Sequence, residues 1–280
     1  MSFLNNPLTL VAVALLGGLG FVLSVHQFSK EQTAAHLRRV EQIRAEEKVA
    51  QDRAEAARLE VLNARVAASA VHQAKYAAAM KKAARAALVA ALPGDPSKGR
   101  GSYMVCMACH GMNGEGQRAF NAPRLSGQEP WYIKGQLLKF KEGVRGMHPQ
   151  DIYGMQMAPM AKLMYSEEIL DNVVAYIASL DPGKAPDGGS GDAAAGKQQF
   201  AVCATCHGRQ AQGMAKQYAP RLSNQHAWYL ENQIKNFKGK IRGAHELDSE
   251  GKLMISIVQM LEDDKVIADL IAYIQSHNGM

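Results

Sequence analysis

Cysteine is scarce in this chain of 280 residues, which has only four. They form two pairs of the pattern C-x-x-C-H, in "MVCMACHG" and "AVCATCHG", so no cysteine is left for a structural disulfide elsewhere. Aromatic residues make up 6% of the chain, and residues 97–280 contain no basic patch with interleaved aromatics. This absence argues against nucleic-acid binding, although the formal net charge is +6.

Glycine and proline are absent between Phe21 and Leu92. Residues 31–92 consist mainly of Ala, Glu, Arg, Lys, Gln and Leu, the residues with the highest helix propensity. The composition predicts a long helical stalk over residues 31–92, ended by "PGDPSKG". No sustained heptad runs through it, so the stalk is either solvated or docked along a partner subunit.

Positive charge is missing before the first apolar run, Leu8 to Val25. This run contains no charged residue, and at about 1.5 Å per residue a helix of this length just spans a bilayer core. A cleaved signal peptide would have Lys or Arg before the run and a small-x-small site after it, and neither is present. We therefore expect residues 1–30 to form a retained transmembrane anchor, with a signal peptide as the alternative.

The second half of the chain repeats the first without a gap, at the offset that separates Cys106 from Cys203. The repeat predicts two domains, residues 93–180 and 192–280, joined by the Pro- and Gly-rich linker 181–191. Each copy shows apolar residues at helical spacing and no alternating strand pattern, so the predicted class is all-α. Each copy is also small for a core made of protein alone.

Four interpretations of C-x-x-C-H compete. A thioredoxin-like pair would need a strand–helix–strand setting, a zinc site would leave the histidines idle, and a disulfide would explain neither the histidine nor the repeat. Covalent haem accounts for every member, because the cysteines bind the vinyl groups and the histidine ligates the iron. We expect two c-type haems, held by Cys106, Cys109 and His110 in one domain and by Cys203, Cys206 and His207 in the other.

The sixth iron ligand distinguishes a carrier from a catalyst. Of the 14 methionines, only Met157 and Met254 are separated by the repeat offset, so we expect them to be the axial ligands. His148 and His245 are the alternative, which would give bis-histidine sites. We predict contacts with haem propionates for Arg124, Arg221, Trp131 and Trp228, and also for Tyr132 and Tyr229. The arginines could instead be ordinary surface charges, and the aromatic residues could instead pack the middle helix.

Residues 97–280 resemble the tandem di-haem class I cytochromes c of the c-four type, on "CMACHG", "CATCHG", the two "APRLS" turns and the two "AYI" helix ends. The resemblance implies a three-helix fold per domain, with a methionine loop before the last helix. It also implies that Gly99 and Tyr103, and Gly196 and Phe200, lie on a first helix that packs on the last helix near Tyr176 and Tyr273. The implied function is electron transfer to terminal oxidases.

These observations lead to one principal hypothesis and two alternatives. The principal one is a carrier, not itself an enzyme, anchored in the inner membrane with its haem domains in the periplasm, where covalent haem attachment takes place. It would pass single electrons from a quinol-oxidising complex to a terminal oxidase. The alternatives are a dedicated cytochrome subunit of one membrane enzyme complex, attached through residues 31–92, and a di-haem enzyme with one labile iron ligand.

Overall fold

The computed structural model describes residues 7–184, 186 and 188–279, and for residues 7–29 it describes only the helical backbone. The described residues up to Ala79 form one unit and those from Met80 onwards form a second. A single helix, α1, runs from Pro7 to Ala90, as the absence of glycine and proline after Phe21 predicts. From Lys30 to Ala79 its side chains are almost all exposed; Val66, for example, is 62% exposed.

Among the residues whose side chains the structure describes, no helix is long and apolar enough to cross a membrane. The predicted anchor, residues 1–30 with its apolar run Leu8–Val25, lies outside these residues except for Lys30.

In the second unit the last turns of α1 contact both halves of the repeat. Arg85 Nη1 donates to the carbonyl of Leu180 at 2.8 Å and lies 3.6 Å from the carboxylate of Asp181. Lys81 Nζ donates to the carbonyl of Gly279 at 2.6 Å. The C-terminal end of the predicted stalk therefore contacts the two repeated halves rather than being fully solvated.

In the part of the chain that the structure describes, each half of the repeat contains four α-helices and one short 3₁₀ helix. The first half has α2 (Pro96–His110), α3 (Pro130–Lys141), α4 (Ile152–Lys162) and α5 (Glu167–Ser179), with the 3₁₀ helix Arg118–Phe120. The second half has α6 (Ala193–His207), α7 (Ala227–Lys238), α8 (Ser249–Val258) and α9 (Asp264–Gln275), with the 3₁₀ helix Ala215–Gln217. Within the described residues, extended pairing is limited to two isolated bridges, in agreement with the all-α prediction.

The first and last helices of each half pack closely at a glycine. A Cβ atom on Gly99 would lie 1.9 Å from the carbonyl oxygen of Asn172, and one on Gly196 would lie 1.9 Å from that of Asp269. Four residues further along, the rings of Tyr103 and Tyr176 are 5.2 Å apart, and those of Phe200 and Tyr273 are 5.3 Å apart. The helix contact expected from the resemblance is confirmed in both halves.

The expected three-helix fold with a methionine loop was incomplete, because the segment before the last helix is itself helical. Helices α4 and α8 begin at aspartate caps: Asp151 accepts from the backbone N–H of Gly154 at 2.9 Å, and Asp248 from that of Gly251 at 3.1 Å. The sequence of α4 includes a glycine and Pro159, both poor helix formers, so its helix propensity is weak. Capping and packing on the domain interior decide its conformation.

Candidate haem sites

The four cysteines lie in the last two turns of α2 and α6. Each C-x-x-C-H motif thus ends a helix, with its histidine as the last helical residue. Burial raises the pKa of Cys106 to about 11, and burial likewise raises the pKa of Cys203.

The two motif histidines are buried and oriented in the same way. His110 Nδ1 lies 2.8 Å from the carbonyl oxygen of Pro123, and His207 Nδ1 lies 2.8 Å from that of Pro220. A carbonyl can only accept, so each Nδ1 carries the proton and each Nε2 keeps its lone pair. Burial also lowers the pKa of both imidazoles. Both histidines are thus held as neutral ligands with Nε2 available to a metal.

A continuous cavity of about 740 Å³ connects the two halves of the second unit. His110 and His207 both line it, together with Cys106, Cys109 and Cys203. Most of the remaining wall is apolar and comes from matching positions of the two halves: Ile133, Phe140, Val173 and Ile177 in the first, and Leu230, Phe237, Leu270 and Ile274 in the second. A large, flat, apolar group beside each histidine fits this space, and it would extend the buried apolar cluster of each small domain.

Met157 and Met254 both line the cavity, whereas His148 and His245 do not. Each of these histidines instead accepts, through Nδ1, from a backbone N–H two residues ahead, at 3.2 Å. Three other methionines also line the cavity, namely Met160, Met164 and Met260. Position within the repeat, rather than access to the cavity, therefore still singles out Met157 and Met254 as the predicted ligands.

The predicted propionate contacts are placed unequally. Arg124, Arg221 and Trp131 line the cavity, but Trp228 does not and stacks on His226 at 5.3 Å between ring centroids. Trp131 Nε1 and Arg221 Nε are buried without a hydrogen-bond partner in the described part of the chain. Buried donors of this kind require an acceptor, and a carboxylate entering the cavity would provide one.

Arg124, in contrast, makes several hydrogen bonds within the protein. Its side chain donates to the carbonyl of Lys184 at 2.9 Å and to Ser126 Oγ at 3.4 Å. Its backbone exchanges two hydrogen bonds with the side chain of Gln225 in the other half, at 3.0 and 2.9 Å. Arg124 therefore helps to fix the two domains together, in addition to any contact with a haem.

A second set of polar residues joins the domains across the cavity. The sequence did not predict that these residues contact the opposite domain. Arg145 donates to Gln136 in its own domain at 2.7 Å, and to Gln233 and Tyr229 of the second domain at 3.0 and 3.3 Å. The hydroxyl oxygen of Tyr229 accepts from this arginine, and its predicted donation to a propionate stays a prediction.

The same arrangement is repeated from the second domain. Arg242 donates to Gln233 at 2.6 Å, and to Gln136 and Tyr132 of the first domain at 3.1 and 2.9 Å. Burial alone would raise the pKa of Tyr132, but the two nearby guanidinium groups lower it on balance. The repeat alignment contained the signal for this network, because its arginines, glutamines and tyrosines are identical pairs at the repeat offset.

An ion pair breaks this internal symmetry. Lys139 in α3 lies 2.5 Å from Asp248 and 2.9 Å from Glu250, at the start of α8. At the repeat offset, Asn236 corresponds to Lys139, and Asp151 and Tyr153 correspond to Asp248 and Glu250. Because Asn236 is uncharged, the equivalent ion pair cannot form. The two halves of the interface are thus chemically distinct near the predicted methionine helices.

Comparison with known proteins agrees with this arrangement. The family model described as cytochrome c matches residues 96–181 and again residues 193–278. The chain therefore belongs to the cytochrome c family, as a protein with two tandem domains. The family and the fit of the residues together give the chain two covalently bound c-type haems.

Within that family the chain is homologous to the di-haem cytochromes c4. Cytochrome c4 of Azotobacter vinelandii is 32% identical over 203 residues, covering 65% of this chain and 89% of the relative. The crystal structure of reduced recombinant cytochrome c4 from Pseudomonas stutzeri has a TM-score of 0.52 and 29% identity, covering 65% of this chain and 98% of that one.

Another relative carries a more specific description. The thiosulfate dehydrogenase electron acceptor of Stutzerimonas stutzeri (strain A1501) is 30% identical over 179 residues, covering 59% of this chain and 76% of the relative. The relatives named as cytochrome c4 and as electron acceptor agree with an electron-transfer role. The resemblance stated from the sequence motifs is confirmed at the level of the di-haem family.

Proposed function

We propose that this protein is a di-haem electron carrier, which takes single electrons from a quinol-oxidising complex and passes them to a terminal oxidase. The observation that carries the proposal is the duplicated histidine geometry. Each histidine has its Nδ1 tied to a proline carbonyl and its Nε2 free, and both histidines line one continuous cavity. Two matched haem sites in one unit suit passage of an electron through the protein.

In each site the histidine and one methionine would complete the iron coordination. We assign His110 and Met157 to the first iron and His207 and Met254 to the second, with the cysteine pairs bound to the haem vinyl groups. A thioether ligand raises the reduction potential of haem iron, which suits an electron carrier. Trp131 and Arg221 would donate to haem propionates through their unpartnered nitrogens, with Arg124 as a further contact.

A closed iron coordination predicts the result of adding an external ligand. Reduced protein exposed to carbon monoxide should show no change in the optical spectrum of either haem, because both axial positions are taken by protein side chains. The measurement is an optical titration of the full-length protein at neutral pH. Ready binding of carbon monoxide to one haem would contradict a carrier and favour the alternative of a di-haem enzyme with a labile ligand.

We also propose that Leu8–Val25 anchors the protein in the inner membrane and that the haem domains lie in the periplasm. The uncharged apolar run supports the anchor, and the periplasmic site of covalent haem attachment supports the orientation. The full-length protein should sediment with membranes and need detergent for release, whereas a chain starting at Lys30 should stay in the soluble fraction. Equal partitioning of the two proteins would contradict the anchor.

A dedicated subunit of one membrane enzyme complex is the second candidate. It is favoured by the exposed side chains of α1 and by the relative described as a thiosulfate dehydrogenase electron acceptor. The protein that detergent releases in the sedimentation experiment can then be purified to distinguish the two candidates. A stable complex that survives purification indicates a subunit, and a free protein indicates a carrier.

A further inference from the structure

Arg145 and Arg242 occupy equivalent positions in the two domains, and each reaches across the cavity into the other domain. Each guanidinium stacks on a phenylalanine of its own domain, at 4.5 Å from the ring centroid of Phe140 or Phe237. Each then donates to a glutamine and a tyrosine of the opposite domain. Both arginines line the cavity that fits the two haems.

Neither guanidinium forms an ion pair with a carboxylate in the described part of the chain, although Asp248 is near enough to Arg242 to attract its charge. Arg242 is 8% exposed. Their recorded partners are the amide and phenol oxygens of Gln136, Gln233, Tyr132 and Tyr229. Arg145 also has a buried Nε without a partner.

Arg242 is buried and Arg145 is half-buried. Taking a guanidinium out of water without an ion-pair partner is costly, so anions from another source would stabilise both. The two haems supply them, because each carries propionate groups and the arginines lie on the wall of the same cavity. Planar guanidinium groups with free N–H donors match carboxylates well. The unpartnered Nε of Arg145 leaves one such donor available.

We propose that Arg145 and Arg242 act as a pair that raises the reduction potentials of both haems at once. This inference rests on the proposed di-haem carrier. A nearby positive charge favours the ferrous state, which carries one positive charge less than the ferric state. Each arginine is held between the two domains, so its charge acts on both haems and not on that of its own domain alone.

Gln136 and Gln233 couple the two arginines, because each glutamine accepts a hydrogen bond from both. Gln136 Oε1 accepts from Arg145 at 2.7 Å and from Arg242 at 3.1 Å, and Gln233 Oε1 accepts from the same two arginines at 3.0 and 2.6 Å. Removing one arginine therefore releases acceptors that also hold the other one. A change at either arginine should reach both haems.

The test compares Arg145→Gln, Arg145→Lys and the control Arg100→Gln in the full-length protein by optical redox titration. Arg100 is an exposed arginine of α2 in the same domain. In Arg145→Gln, we expect the equilibrium constant for reduction of each haem to fall about tenfold, equal to about 59 mV for a one-electron couple. Arg145→Lys should restore most of the shift, because it keeps the charge, and Arg100→Gln should change neither potential.

A second variant covers the case in which Arg145→Gln does not fold. Gln136→Glu keeps the side-chain shape and places a carboxylate between both guanidinium groups, so it should also lower both potentials. A shift confined to one haem in either variant, or no shift in either, would overturn the paired role.

The same titration distinguishes failure of the arginine proposal from failure of the proposed carrier function. If wild-type protein shows no pair of one-electron haem reductions, the carrier proposal fails. If wild type shows them and the variants leave both potentials unchanged, only the arginine pair fails.

Discussion

Replacing Cys106 and Cys109 together by alanine is expected to leave a protein with one haem and an unfolded first domain. The two thiols are the covalent attachment points at the end of α2, and the apolar wall beside them is shaped around the haem. An empty cavity costs about 24 cal/mol per Å³. Half of the 740 Å³ space would therefore cost on the order of 10 kcal/mol, which is comparable to the whole stability of a typical domain.

The measurement combines the intact mass, the haem absorbance per chain and the helical signal in circular dichroism. The reciprocal variant, Cys203→Ala with Cys206→Ala, is the matched control and should lose the other haem while keeping the first. Both variants should show about half the wild-type haem absorbance. A variant that keeps two haems, or keeps the full helical signal with one, would show that the haem is not the core of its domain.

Much of the site could be predicted from the sequence because its chemistry is local. The four cysteines and two histidines occupy five-residue motifs, and the duplication aligned them without a gap. The glycine contacts at Gly99 and Gly196 were predictable for a related reason, since the repeat places a small residue at the same position of two helices. Only the resemblance indicated which helix each glycine meets.

The cross-domain network could not be predicted in the same way. Arg145 and Tyr229 are 84 residues apart, and Arg242 and Tyr132 are 110 apart, so their contact depends on how the two domains pack. The sequence showed that these residues are repeated but not that they face the other domain. That Tyr132 and Tyr229 donate to propionates stays a prediction, and the structure adds that both hydroxyl oxygens accept from an arginine of the other domain.

Helices α4 and α8 were missed for a different physical reason. Each sequence includes a glycine, and α4 also includes Pro159, so the local helix propensity is weak. The structure stabilises them through the aspartate caps at Asp151 and Asp248 and through packing around the cavity. Their helical form presents Met157 and Met254 at the cavity from a fixed backbone rather than from a mobile loop.

Replacement of either predicted methionine ligand is expected to have the second large effect. Met157→Ala removes the thioether from the first site and Met254→Ala removes it from the second. Because a thioether ligand favours ferrous iron, the reduction equilibrium constant of the affected haem should fall about tenfold or more, which is about 59 mV or more for one electron. The haem of the unaltered domain should keep its potential apart from any coupling through the arginine pair.

Met155 provides a matched control on the same helix. Its side chain is exposed and does not line the cavity, in contrast to Met157 two residues later. Met155→Ala should therefore leave both potentials and both haem spectra unchanged. If Met155→Ala instead shifted a haem potential, helix α4 would act through its general stability and not through one ligand.

The most direct test of two histidine–methionine haem sites is the optical charge-transfer band of the methionine–iron bond in oxidised protein. It should be recorded for wild type, Met157→Ala and Met254→Ala at equal haem content. The account predicts that each single variant loses about half of the band and that the double variant loses all of it. A full band in either single variant would contradict the assignment of that methionine, and full bands in both would contradict the proposed carrier sites.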